Sequence, residues 1–142
     1  MKNEQSKEGL LQFIKFAIVG VANTGVDWVV YFILSRTILT DSLVVAKASS
    51  FTIAVLNSYL LNTIWTFKKE YATATKEGAT GGKAAIFIKF MIVSLVGLGI
   101  NTLVYKYSLD KFAGSELISL VFASGAAILW NFFANKLWTY KK

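Results

Sequence analysis

An all-α integral membrane protein is what this sequence predicts: four transmembrane helices as two parallel two-helix repeats, with both termini cytoplasmic. Three observations carry that expectation. There are four apolar runs of membrane-crossing length. The basic residues fall on alternate connections. The second half of the chain repeats the first. The composition agrees, since apolar types make up 55% of the 142 residues and charged types only 16%, against roughly 25% in a soluble domain. So apolar a chain is neither intrinsically disordered nor able to cover a soluble globule with polar surface. There is no Cys, His or Pro. That excludes disulfides, thiolate metal sites, imidazole bases and proline-kinked helices.

The runs lie at 16–34, 43–65, 90–109 and 117–135. Each is about 20 residues, enough to cross a hydrocarbon core of roughly 30 Å at about 1.5 Å per residue. Extended to their flanking residues, they give spans at about 13–36, 43–66, 87–109 and 116–138. The helices are apolar nearly all round, as lipid-facing helices should be. The first run is too long for a cleavable signal peptide, and three more runs follow it.

Orientation follows from the connections. Lys2, Lys7 and Lys15 flank the start of span 1. Lys68, Lys69, Lys76, Lys83 and Lys89 lie between spans 2 and 3, and Lys136, Lys141 and Lys142 lie at the end. The opposite side holds only Arg36, Lys47, Lys106 and Lys111. The positive-inside rule therefore puts both termini and the middle loop in the cytoplasm of a multi-pass cell-membrane protein. Trp65 and Trp138 sit where an interfacial aromatic belt is expected. The net charge of +7 is thus accounted for by anchoring in the lipid bilayer, and no nucleic-acid partner is called for. Residues 1–10 read as a mobile tail and 70–85 as a flexible cytoplasmic linker. These separate repeat 1 (11–69) from repeat 2 (86–142).

The duplication is direct. Residues 13–36 align without gaps on 87–110, an offset of 74, and Phe-Ile-Lys-Phe recurs intact. The second spans align at an offset of 73, so that Asn62-x-x-Trp65-Thr66 recurs as Asn135-x-x-Trp138-Thr139. A repeat with an even number of spans keeps its orientation, which predicts a pseudo-two-fold axis along the membrane normal. Small residues at i, i+4 spacing mark a packing seam: Ala46, Ser50, Ala54 and Ser58 on span 2, with mates Ser119, Ala123, Ala127 and Asn131 on span 4.

Several polar residues interrupt the apolar runs. Asp27 lies near the middle of span 1, where a carboxylate costs about 2.5–3.5 kcal/mol on the insertion scale. Asn23 and Tyr31 lie one turn to either side, and the repeat mate of Asp27 is Asn101. Asp27 reads as a polar element of a substrate path, as a proton-titrating site, or as an interhelical hydrogen-bonding group. Asn62 and Asn135 lie near the cytosolic ends of spans 2 and 4, with Asn57 and Asn131 deeper. They read as helix glue or as a lining that meets a head group. Lys15 and Lys89 are repeat mates that could hold a phosphate as point charges or simply snorkel to the interface. Lys136 is a third candidate. No nucleophile–base set, P-loop, dinucleotide fingerprint or metal cluster is present. The chain reads as a non-enzyme with no cofactor and no metal.

These motifs resemble the GtrA family, small four-helix membrane proteins of polysaccharide and teichoic-acid glycosylation. In repeat 1 the resemblance rests on Phe13-Ile-Lys-Phe-Ala-Ile-Val-Gly20, on Asn23-Thr24-x-x-Asp27 and on Tyr59-Leu-Leu-Asn62-x-x-Trp65-Thr66-Phe67. In repeat 2 it rests on Lys89-Phe90, on Asn101 and on Asn131-Phe-Phe-Ala-Asn135-Lys136-Leu-Trp138-Thr139-Tyr140. Repeat 1 departs from the family's Asn-Phe-x-x-Asn pattern at Ser58-Tyr59, and it has Thr63-Ile64 where a basic pair is usual. Any phosphate contact at that position should therefore come from repeat 2.

The resemblance implies translocation of a polyprenyl-phosphate-linked monosaccharide of the undecaprenyl-phosphate type, between membrane glycosyltransferases acting on opposite faces. In that role Lys15, Lys89 and Lys136 would neutralise phosphate. Asn23, Asp27, Asn62, Asn101, Asn131 and Asn135 would meet the head group, because an unpaired charge cannot cross hydrocarbon unaided. Four helices scarcely enclose a channel, so a laterally open groove or a homo-oligomer is expected. Two other readings compete: a small proton-coupled exporter centred on Asp27, and a non-transporting scaffold for a glycosyltransferase.

Overall fold

The computed structural model describes residues 2–76, 82–111 and 116–141. All regular structure among them is helical: α1 (Lys2–Thr37), α2 (Leu43–Leu61), α3 (Lys68–Lys76), α4 (Gly82–Lys111) and α5 (Glu116–Ala134). Both α2 and α5 run on into a single π turn, Asn62–Thr66 and Asn135–Thr139 respectively. The chain divides into two compact units, Met1–Lys68 and Lys69–Lys142. In the first α1 packs on α2; in the second α4 packs on α5.

Among the described residues, three helical stretches are long and apolar enough to cross a membrane: Ser6–Thr37, Gly82–Lys111 and Ile118–Thr139. The chain is a multi-pass membrane protein on that footing. α2 is not among the three; Lys47, Ser49, Ser50, Asn57 and Ser58 interrupt its apolar run. α1 and α4 are longer than the hydrocarbon core of a bilayer. At about 1.5 Å per residue their 36 and 30 residues measure roughly 54 and 45 Å, against a core of roughly 30 Å.

Two stretches carry more helix than the sequence suggests. Residues 2–10, expected as a tail, continue α1. Of the expected linker 70–85, residues 70–76 belong to α3, 77–81 lie outside the described residues, and 82–85 open α4. α3 has Glu70 in its first turn and Lys76 in its last, the arrangement the helix dipole favours. Its Tyr71 ring meets Tyr140 edge-on at 6.5 Å between centroids.

The small-residue seam is buried over part of its length in each unit, with Ser58, Ala127 and Asn131 only half-buried. Ala46, Ser50 and Ala54 are shielded in the first, and Ser119 and Ala123 in the second. Phe16 and Val19 are buried on α1, as are their repeat mates Phe90 and Val93 on α4. Phe16 also packs edge-on against Phe67 at 6.0 Å. Large apolar side chains such as Val21 and Leu103 are about three-quarters exposed (73% and 70%), the face a lipid-embedded helix presents. Ala123 has no exposed surface, so Ala123→Leu should overpack the seam and cost about 1–3 kcal/mol. Thermal unfolding in detergent checks this, and an unmoved midpoint would remove the seam from the account.

Candidate functional site

The polar residues of the first unit fall into pairs across α1 and α2. Asn57 Nδ2 donates to Asn23 Oδ1 at 3.3 Å. Further along both helices Asp27 is held from two directions. Lys47 Nζ donates to Asp27 Oδ2 in an ion pair, and Ser50 Oγ donates to Asp27 Oδ1 at 2.7 Å. The Asp27 side chain is 17% exposed and that of Lys47 55%. The Lys47 ammonium also lies 5.8 Å from the centre of the Tyr31 ring, a cation–π distance. α1 and α2 thus share a run of polar contacts within a helix pair whose remaining surface is largely apolar.

At the other end of α2 stands the π turn. Its defining bond runs from Phe67 N–H to Asn62 O at 2.7 Å, and Tyr140 N–H to Asn135 O at 2.9 Å is the counterpart in the second unit. Each asparagine side chain reaches back one turn. Asn62 Nδ2 donates to Ser58 O at 2.9 Å, and Asn135 Nδ2 donates to Asn131 O at 2.8 Å. A side-chain donor on the i−4 carbonyl competes with the backbone ladder, and here the helix widens at the residue that supplies it. Single π turns of this kind are frequent at functional sites. Gln12 Nε2 donates to Thr66 O at 3.2 Å, satisfying a carbonyl that the helix end leaves open.

Both turns contain buried oxygens with no hydrogen-bond partner among the described residues: Asn62 Oδ1 and Thr66 Oγ1 in the first, Asn135 Oδ1 and Thr139 Oγ1 in the second. All four residues are at most 6% exposed. An unsatisfied buried polar group costs about 1–3 kcal/mol. Finding one at the same two positions of both repeats makes chance a poor explanation.

The lysines of the sequence expectation take similar positions in the two units. Lys15 Nζ lies 5.6 Å from the centre of the Trp65 ring, and Lys89 Nζ lies 5.7 Å from that of Trp138. Lys136 Nζ lies 5.4 Å from the Phe132 ring centre. Each ammonium rests on an aromatic face and keeps its donors available.

The second unit is built differently at depth. Asn101 is half-buried on α4, and no lysine accompanies it on α5, where Leu120 occupies the position of Lys47. The Asn23–Asn57 pair is replaced by Gly97 and Trp130. Trp130 Nε1 donates to Val93 O at 3.1 Å, and Asn131 lies against Gly97. Asn131 Oδ1 is buried without a partner among the described residues. Sequence reasoning did not single out Lys47, Thr66, Thr139 or Gly97 as site residues. The signal for Lys47 was available in the repeat, as the one basic residue of span 2 whose mate is apolar. The described residues contain no acidic cluster placed to hold a metal ion.

A family model described as GtrA/DPMS, transmembrane domain, matches residues 15–140. Two relatives stand out among known proteins. An uncharacterized membrane protein of Bacillus subtilis, YngA, is 30% identical over 134 residues, covering 94% of this chain and 82% of the relative. A bactoprenol-linked glucose translocase of Shigella phage SfV is 24% identical over 129 residues, covering 91% of this chain and 94% of the relative. No solved structure matches the chain.

Proposed function

The chain belongs to the GtrA/DPMS transmembrane-domain family, and from that premise we propose that it translocates a lipid-linked sugar across the membrane. It is a membrane protein and not an enzyme. The substrate in this reading is a monosaccharide on a polyprenyl phosphate of the undecaprenyl type, moved for glycosylation of teichoic acid or another cell-surface polysaccharide. The name of the phage relative supports the substrate class.

The observation that carries the reading is the run of polar contacts between α1 and α2, from Asn23–Asn57 to Asp27–Ser50–Lys47. A head group with hydroxyls and one phosphate needs such partners at depth, because unpaired polar groups are costly in hydrocarbon. Asn62, Asn131 and Asn135 would take sugar hydroxyls; Lys15, Lys89 and Lys136 would receive phosphate at the cytoplasmic face; Asn101 would face the passing head group. The polyprenyl tail would stay in lipid.

In this reading α2 supplies the fourth crossing and both termini are cytoplasmic, as the lysine distribution supports. Glycosyltransferases would load and unload the carrier on the two faces, and a groove open to lipid or a homo-oligomer would give the head group room. The exporter reading is less supported, because the Asp27 carboxylate on which it depends is already engaged by Lys47 and Ser50.

Native mass spectrometry of the detergent-purified protein with a polyprenyl-phosphate-linked glucose tests the proposal. Wild type should retain the lipid. Lys89→Ala should weaken retention about tenfold, as expected for one charge-assisted hydrogen bond. Absence of retention by wild type, with Lys89→Ala still functional in cells, would favour the scaffold reading.

A further inference from the structure

We infer that Lys47 and Ser50 form a receiving site for the phosphate of the lipid carrier, and that the Asp27 carboxylate is a built-in stand-in that phosphate displaces. The inference rests on the translocation reading and adds to it a phosphate site outside the cytoplasmic lysines.

The first support is the donor set. An ammonium and a hydroxyl on one face of α2 converge on a single oxyanion, with Lys47 Nζ on Oδ2 and Ser50 Oγ on Oδ1. A carboxylate and a phosphate ester offer such donors equivalent oxygens, and lysine binds phosphate as a point charge. Ser50 has no exposed surface, and its hydroxyl lies 2.7 Å from Asp27 Oδ1 and 3.0 Å from the Lys47 carbonyl oxygen, so it keeps an acceptor when the carboxylate leaves. More than half of the Lys47 side chain is exposed, so the ammonium is reachable from outside.

The second support is internal and independent. The second unit packs α4 on α5 as the first packs α1 on α2, yet it places Asn101, Leu120 and Ala123 at the three corresponding positions. Such a helix pair therefore does not require the triad. A partly buried charge pair contributes little net stability and is costly to assemble, and the second helix pair packs without one, meeting at depth through Gly97, Asn131 and Trp130, so we read the triad as serving a ligand.

Exchange also supplies a release step. While phosphate sits on Lys47, the displaced Asp27 carboxylate remains beside it as a like charge. Return of Asp27 to Lys47 then expels the lipid. Asp27 is here a positioning residue that competes with the substrate, and Lys47 is the binding group.

This competition predicts opposite signs for two single substitutions. Lys47→Ala should weaken retention of a polyprenyl-phosphate-linked glucose about tenfold, the size of one charge-assisted hydrogen bond. Asp27→Asn should tighten it at least about threefold, since the ammonium no longer has an internal anion, while slowing translocation in proteoliposomes. The combined variant Asp27→Asn, Lys47→Leu, Ser50→Ala copies the residues of the second unit. It should fold with an unchanged melting midpoint and bind as weakly as Lys47→Ala.

Inorganic phosphate is the second probe. If it displaces the lipid from wild type, the site takes phosphate from either source; if it does not, the site is specific to the lipid head group. In both cases Lys47→Ala must lose the corresponding binding. If wild type retains the lipid and both single variants retain it equally well, or if both variants merely lower the melting midpoint, the triad is structural and only this inference falls. If wild type retains no polyprenyl phosphate at all, the translocation reading falls and this one with it.

Discussion

Asn135→Ala should abolish translocation of a polyprenyl-phosphate-linked glucose in proteoliposomes while leaving the thermal midpoint almost where it was; Asn62→Ala should do the same less completely. The stability half follows from the hydrogen bonds. Each asparagine makes a side-chain bond to the i−4 carbonyl, worth roughly 1 kcal/mol net. Each also holds a buried oxygen with no partner among the described residues, whose removal recovers a cost of about 1–3 kcal/mol. The two effects oppose one another, so truncation is close to neutral for the fold. The functional half follows from the same oxygen. An acceptor kept buried without a donor is set for a donor that arrives with the substrate, and a sugar hydroxyl is one. The inequality between the two repeats comes from their neighbours: Lys136 follows Asn135, whereas Thr63 follows Asn62, so only the second repeat has a basic residue next in sequence to the asparagine. A drop in midpoint of many degrees for both variants, with transport falling only in proportion to folded protein, would make these asparagines helix glue.

Gly97→Leu should clearly destabilise the second unit. A Cβ at this position would sit 2.5 Å from Asn131 Oδ1, 2.6 Å from its Nδ2 and 2.9 Å from its Cγ. Neither Gly97 nor the Asn131 oxygen has free surface around it, and a branched side chain could be admitted only by moving α5 away from α4. Overpacking of this kind costs about 1–3 kcal/mol, and here it also pushes the Asn131 amide out of place. Gly97→Ala is the graded control: it displaces the flexible amide and leaves the helices together. The leucine variant should lose several degrees of thermal midpoint in detergent and the alanine variant much less. Equal midpoints for both would mean that the helices do not approach closely there. The corresponding position in repeat 1 is Asn23, which pairs with Asn57 and does not admit a close neighbour in the same way.

Much of this protein could be read from its residues, for a simple reason. Apolar runs of about 20 residues separated by polar connections have few solutions in a bilayer. The duplication then sets the same helix–turn–helix plan twice. Even the seam was legible, because Ala46, Ser50, Ala54, Ser119 and Ala123 repeat at one helical turn and small residues mark where helices approach. The helical residues before Leu11 and within 70–76 were harder to see, because polar sequence gives no periodic apolar face from which to argue a helix.

What the sequence by itself determined is an all-helical membrane chain, a direct duplication of its residues, and which polar residues interrupt the apolar runs. What only the tertiary structure decided is which of those polar groups meet. Helices apolar nearly all round carry no moment to set their rotation about the axis, so periodicity could not say that Asp27 faces Lys47 and Ser50, or that Asn23 faces Asn57. Rotation and stagger are set by the packing of small residues against their neighbours, a long-range property of two helices together. The π turns were hidden for a related reason: one extra backbone residue per turn changes no residue type. It appears only in which carbonyl accepts the N–H of Phe67 and of Tyr140.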